Sequence, residues 1–237
     1  MLIPSALAFL VKNRSSLPMG GSVVDLGDQL LYSIDHATTI FSELKATSER
    51  EQLSAYQQVT KVYQLLGLGT RKCIDFSGNA DYRADLNYSI RSHPELQSAF
   101  DLVTNQGFSE HVFNQMSTFE CIHHVCKPGG LMFHVLPCQG WADGGGWGHG
   151  FFQYQPNFFR HLARANDYKI IDLQISVYSP SPTIYSFSAE MYPLVSNPQL
   201  IEPDRRNELE LNRGQFLSLL VLLQRPAHDT SFKPPHE

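Results

Sequence analysis

Glu110 and His111 stand side by side where a short apolar run, Phe100-Asp-Leu-Val-Thr-Asn-Gln106, gives way through Gly107 to polar residues. A neutral imidazole in that setting can take a proton from a substrate hydroxyl, which is general-base chemistry. The alternative is structural: a ring hydrogen-bonded to backbone that orients the start of a helix. Three acids, Asp28, Asp75 and Asp85, follow other short apolar runs and can present carboxylates to a ligand. Further on, His149 and Tyr154 lie in and beside Gly144-Gly-Gly-Trp-Gly-His-Gly150, a stretch too rich in glycine to pack as a regular element. It is expected to be a loop over a pocket, which makes His149 and Tyr154 candidates for substrate contact. Tyr154 has a second reading, as an anchor between that loop and the helix after it. Trp141 and Trp147, on the same loop, suit apolar contact with a substrate or partner.

These residues need elements to hold them. Phe100–Gln106 reads as a buried strand, and Ser109 is placed to cap a helix whose first turn carries Glu110 and His111. Val112, Met116, Phe119, Ile122 and Cys126 would share one face of that helix, which Lys127-Pro-Gly-Gly130 would end. Leu131–Leu136 then has the nearly continuous apolar pattern of a strand covered on both faces. Strand, helix, strand is a βαβ unit. Its right-handed crossover makes the strands parallel, with their carboxyl ends on one edge, where ligands of open α/β sheets bind.

Upstream, Ser22-Val-Val-Asp-Leu-Gly27 is expected to be the first and central strand, with Gly27 letting backbone approach a ligand closely. Asp28 and Gln29 follow it. A short helix is expected around 37–45, and Ser48 with Glu51 forms a capping-box pattern for a longer one bearing Leu53, Tyr56, Thr60, Tyr63 and Leu66. Arg71 to Gly78 reads as a strand delivering Asp75, and a weaker one lies near Tyr82 to Asn87. Pro156 opens a helix to Asn166, and Tyr168–Val177 is a strand. Residues 179–214 form a long excursion, and Gln215–Leu223 returns as a final buried strand.

The chain has 237 residues, 42% hydrophobic and 17% charged, enough for one large core and too few for two comfortable ones. A single domain over 1–228 is expected, with a helical extension at 1–20, lid or insertion segments at 139–155 and 179–213, and a disordered tail at 229–237. A net charge of −5 argues against a nucleic-acid partner, which calls for a basic field. Cysteines 73, 121, 126 and 138 form no CxxC pair and read as buried reduced thiols. His123, His124, His134 and Cys126 meet no metal-ligand spacing. The apolar opening Leu2–Val11 is too short to span a bilayer and lacks the basic start of a secretion signal, so no membrane partner and a cytoplasmic location are expected.

Taken together, a glycine after the first strand, an acid at the end of the second and a hairpin-like finish resemble the class I methyltransferase fold, whose methyl donor is S-adenosylmethionine. This is a Rossmann-like α/β fold with a mostly parallel seven-stranded sheet and helices on both faces. The likeness extends to a bacterial branch with phrases similar to FDLVTNxGxxEHVxNQ, KPGG and HGxxxYxPxFF, here Phe100–Gln115, Lys127–Gly130 and His149–Phe159. It covers residues 20 to 178. The resemblance implies that Gly27, Asp28 and Gln29 line the methionine part of the donor and that Asp75 accepts hydrogen bonds from its ribose hydroxyls. It also implies that Asp85 and Leu86 flank the adenine, that Asn105 lies beneath the sulfonium, and that Glu110 touches the donor or fixes His111. One departure stands out: the family's acid-x-Gly-x-Gly-x-Gly is here Asp25-Leu-Gly-Asp-Gln-Leu-Leu31, with the first glycine alone.

The function implied is methyl transfer to a small-molecule or glycan-precursor acceptor, at a hydroxyl because no Asp/Asn-Pro-Pro-aromatic motif follows the fourth strand. The rivals are a methyltransferase-like binding or assembly module that has lost transfer, and an enzyme using the same pocket for another reaction.

Overall fold

The computed structural model describes residues 2–31, 42–44, 46, 51–77, 80–138, 150–178, 185–188 and 216–236. Among these residues eight strands form one sheet: β1 (Val23–Leu26), β2 (Arg71–Asp75), β3 (Tyr82–Arg83), β4 (Phe100–Gln106), β5 (Cys126–Pro137), β6 (Lys169–Tyr178), β7 (Tyr185–Ser188) and β8 (Phe216–Gln224), in the order β3-β2-β1-β4-β5-β8-β6-β7. Pairs from β3 through β5 are parallel, while β8 runs antiparallel between β5 and β6. The expected seven strands are all present. The eighth, β7, adds a short antiparallel edge to β6 within the stretch read as an excursion.

Helices cover both faces. On one, α1 (Pro4–Lys12) and α2 (Ala55–Leu65) bury Leu7, Leu10, Val59 and Val62 against Val23, Leu102, Phe133 and Leu222. Phe9 stacks on Phe133 with ring centroids 5.5 Å apart. On the other, α3 (Gln115–Val125) and α4 (Pro156–Asn166) pack Phe119, Ile122, Phe159 and Leu162 onto Val24, Val103, Met132 and Val221. Alternate residues of each strand thus serve opposite cores, which is why the strands read as unbroken apolar runs.

Two helix starts differ from expectation. The capping box before α2 is Ser54 with Gln57, whose side chains bond each other's backbone N–H; Ser48 lies outside the described residues. Ser109 caps no helix. Residues 109–111 form a single 3-10 turn, and α3 begins after Asn114, whose Oδ1 accepts from Ser117 N at 3.1 Å. Asparagine is as good an N-cap as serine, and the turn at 109 has its own side-chain partners. Lys127-Pro-Gly-Gly130 bulges out of the β4–β5 ladder, where the pairing jumps from Phe100–Cys126 to Leu102–Leu131.

The C-terminal tail, expected to be disordered, is laid against the α3–α4 side through His236. Thr230 O lies 2.6 Å from His123 Nε2, and Asn166 bonds Lys233 through both its amide groups at 2.7 and 2.8 Å. Phe232 packs on the core, and the Arg225 guanidinium, buried, donates to Cys126 O. The four cysteines are buried thiols outside any disulfide. Among the described residues, no helix is long and apolar enough to cross a membrane.

Candidate active site

Strand β1 lies between β2 and β4, so the connections run outward in opposite directions from it and leave a crevice at its carboxyl end. Gly27 turns the chain there with φ +78°, a left-handed conformation that favours glycine. A Cβ at this position would lie 2.7 Å from Cδ2 of Phe108, so the phenyl ring rests on the glycine itself. Gln29 is 3% exposed, and its Nε2 donates to Leu26 O at 2.9 Å and Gln106 O at 3.1 Å. It therefore staples the ends of β1 and β4 together. Its Oε1 is buried with no hydrogen-bond partner among the described residues.

Asp28 and Asp75 meet at this edge. Asp28 N donates to Asp75 Oδ2 at 2.9 Å, and Ser77 N donates to Asp75 Oδ1 at 3.0 Å. Each carboxylate oxygen accepts one backbone N–H and keeps a lone pair, and the residue is half-buried. Asp85 Oδ1 accepts from both Asn87 N and Asn87 Nδ2 at 2.9 Å, closing a turn. Leu86 is buried in the core, so its side chain is turned away from the edge.

Beneath the crevice lies a network that the sequence reading did not single out. Asp25 and Arg71, both fully buried side chains, form an ion pair at 2.6 Å across β1 and β2. Tyr63 Oη donates to Asp25 Oδ1 at 2.7 Å, Thr104 donates to the same oxygen, and Gln106 Nε2 donates to Tyr63 Oη at 3.0 Å. The Arg71 guanidinium also lies 3.9 Å from Asp28 Oδ1 and 4.3 Å from the Tyr56 ring centroid. An acid in the middle of an apolar strand was the available signal, because such a charge must be paired.

The turn after β4 is held by a second buried network. Asn105, expected beneath a sulfonium, is fully buried and spent within the chain: Oδ1 accepts from Ser109 N at 3.1 Å, and Nδ2 donates to Ser109 Oγ at 3.0 Å and to His134 Nδ1 at 3.2 Å. Since His134 Nδ1 accepts, its hydrogen sits on Nε2, and burial pushes the imidazole down to about 3. Tyr154 is buried too; its hydroxyl meets Ser109 Oγ at 3.0 Å and donates to Gln115 Oε1 at 2.5 Å. Burial raises the phenol above its ordinary range. Gln115 Nε2 closes the ring on Ser109 O at 2.7 Å and Val112 O at 2.6 Å.

This network presents Glu110 and His111. Glu110 is 1% exposed and burial pushes its carboxyl up to about 7, whereas the His111 side chain is 48% exposed with Nε2 3.8 Å from Glu110 Oε1. Phe151 N donates to Glu110 O at 2.6 Å, and a Cβ on Gly150 would meet Glu110 Cγ at 2.8 Å. Gly150 and Phe151 therefore dock on Glu110, and the missing side chain of Gly150 makes that contact sterically possible. His149, Trp141 and Trp147 lie outside the described residues. The structure brings together Gly27, Asp28, Gln29 and Asp75 at the β1–β2 edge, and Asn105, Glu110, His111 and Tyr154 around the β4 turn.

No family model and no curated protein matches this sequence. Solved structures do. A protein of Bacillus halodurans C-125, provisionally assigned as a methyltransferase, is 13% identical with a TM-score of 0.52 over 94% of this chain and 99% of that one. The 1,6-didemethyltoxoflavin-N1-methyltransferase of Burkholderia thailandensis, with 1,6-didemethyltoxoflavin and S-adenosylhomocysteine bound, is 12% identical with a TM-score of 0.49 over 94% and 77%. A S-adenosylmethionine-dependent methyltransferase of Mesorhizobium loti is 16% identical with a TM-score of 0.45 over 94% and 99%. Of these three, the first alone passes 0.5, and with the strand order and the antiparallel β8 it identifies the architecture: the chain has the Rossmann-like class I methyltransferase fold.

Proposed function

We propose that the chain is a S-adenosylmethionine-dependent methyltransferase acting on a small-molecule or glycan-precursor acceptor at a hydroxyl. The observation that carries this reading is Asp75: a half-buried carboxylate at the end of β2, next to the β1 crevice, fixed by two backbone N–H groups with a lone pair left on each oxygen. That is the arrangement a ribose diol needs. The donor residues fit at this end. At the other end the Phe108 ring covers Gly27, so a methionine group requires that ring to turn aside.

When bound, the donor supplies an electrophilic methyl group. The chain's part is to hold and orient both substrates and to take the acceptor proton. His111, half-exposed on the turn after β4, is the base, and His149 is the second candidate for that role. Glu110, buried 3.8 Å from His111 with its carboxyl near 7, can share the proton that His111 receives. Tyr154, with its hydroxyl committed to Ser109 and Gln115, positions the turn that carries both.

A second reading, a binding or assembly module without transfer, is favoured by Phe108 and Gln29 together occupying the crevice. Calorimetric titration with S-adenosylmethionine and S-adenosylhomocysteine decides between them. Micromolar binding that Asp75→Ala weakens by about two orders of magnitude supports the enzyme; no binding of either ligand leaves the module. With an acceptor in hand, His111→Ala should lower turnover about a hundredfold or more while donor affinity changes less than about twofold.

A further inference from the structure

Between the first turn of α4, the loop before it and residues 235–236 lies a pocket of about 490 Å³. Its floor is Gln115 and Tyr154, so it adjoins the network that holds the Glu110–His111 turn. Both α3 and α4 begin here, at the carboxyl edge of the sheet, because each follows a parallel strand. The volume falls in the usual range for small-ligand sites.

Among the described residues, the lining contains no Asp, Glu, Lys or Arg. A charged ligand would lose water here and find no carboxylate, ammonium or guanidinium among the described lining residues to replace it. Two half-buried rings, Phe152 and Phe158, supply flat apolar walls. They are braced from behind: Phe158 lies 5.0 Å from Phe119 and 5.2 Å from Phe159 by ring centroids, and Phe152 lies 6.4 Å from Phe113. The exposed residues Gln153 and Asn157 also line the pocket, and each amide carries a donor and an acceptor in one plane. Arg160 donates to Asn157 Oδ1 at 2.9 Å, which directs the Asn157 amide hydrogens elsewhere. His161 Nδ1 lies 3.0 Å from Arg164 Nη2 and 3.1 Å from His236 O, so the ring is held between α4 and the tail. Neither arginine is part of the lining.

We propose that this pocket binds a neutral, hydroxyl-rich ring, a pyranose sugar, with its C–H face on Phe158 and its hydroxyls on the amides. A pyranose has that split character: apolar above and below, and around its rim adjacent hydroxyls that each donate and accept, as a carboxamide does. As the seat of the methyl acceptor the pocket rests on the methyltransferase reading; as a sugar site it stands alone.

The test is saturation-transfer NMR on the full chain with glucose, galactose, mannose and N-acetylglucosamine, each against a charged counterpart such as glucose 6-phosphate or glucuronate. At least one neutral sugar should bind in the millimolar range, its charged counterpart more weakly, and Phe158→Ala should weaken it about tenfold. Asn157→Ala, an exposed polar change, serves if Phe158→Ala fails to fold. Binding by none of the neutral sugars overturns the proposal, as does a charged sugar binding more tightly than its parent, or neutral-sugar binding unchanged in the folded variants. Titration with S-adenosylhomocysteine alongside separates the two ideas. Sugar binding without it keeps the pocket and removes the methyl donor; the reverse removes the pocket alone.

Discussion

The phenyl ring of Phe108 lies against Gly27, close enough that a Cβ on the glycine would come within 2.7 Å of Cδ2. This one contact spans β1 and β4 across the crevice where a donor would enter. If the ring must turn out before the donor binds, measured affinity is reduced by the fraction of molecules with the ring in. Phe108→Ala should then bind S-adenosylhomocysteine about tenfold more tightly than the parent chain. Equal or weaker binding in calorimetry would mean that the ring packs against the donor instead of excluding it.

The Asp25–Arg71 pair predicts a characteristic pattern of stabilities. Both side chains are fully buried, so Asp25→Leu leaves the guanidinium without its 2.6 Å partner, with Asp28 Oδ1 still 3.9 Å away, and should cost about 3–5 kcal/mol. Arg71→Met strands the carboxylate and should cost a similar amount. The double variant Asp25→Leu with Arg71→Met should lose much less than the sum of the singles. Urea unfolding of the four proteins tests it; simple additivity would refute the coupling.

Gly150 meets Glu110 with φ +72° and no room for a side chain. Gly150→Ala should therefore cost about 1–3 kcal/mol, from left-handed strain together with displacement of Glu110. Gly20, equally left-handed but with nothing within 4 Å of its would-be Cβ, provides the comparison. Gly20→Ala should cost no more than about 1–2 kcal/mol, from backbone strain alone.

Three buried groups set the acid response. Burial lowers His123 to about 4 and His134 to about 3, so between their unfolded value near 6.5 and pH 4 the unfolded chain binds two protons that the folded chain refuses. Stability from these groups is complete above pH 6.5 and is lost on acidification. Glu110 works the other way: its carboxyl, raised to about 7, takes its proton in the folded state first, adding stability as pH falls from 7 toward 4.5. The net between pH 6.5 and 4.5 is about one proton, a slope of about 1.4 kcal/mol per pH unit. Glu110→Gln removes the opposing contribution and should steepen that slope to about two protons, measurable as unfolding free energy against pH. An unchanged slope would exclude the raised carboxyl.

Much of the frame was legible because strands buried on both faces, such as Leu131–Leu136 and Gln215–Leu223, spell themselves out as apolar runs. Asp75 was legible as an acid at a strand end. Helix starts were less so: Ser48, Ser54, Ser109 and Asn114 all qualify as caps, and which is used depends on what else competes for them, as Asn105 and Tyr154 do for Ser109. The paired Asp25 was read as part of a loop motif because its partner, Arg71, is 46 positions away. Phe108 over Gly27 and the tail against His123 are long-range contacts between residues unremarkable in themselves. Periodicity cannot announce such meetings; the fold brings them about.

The placement of β8 sets the order in which the protein can be finished. It lies between β5 and β6 and bonds to both along nearly its whole length. Until it arrives, a nascent chain carries two long apolar strands with open backbone edges, the template that neighbouring chains join during aggregation. Those edges close only when residues 216–224 are inserted, and residues 230–233 then bond to His123 and Asn166 on the α3–α4 side. Early termination would therefore do more than shorten this protein: it would leave the middle of its sheet open.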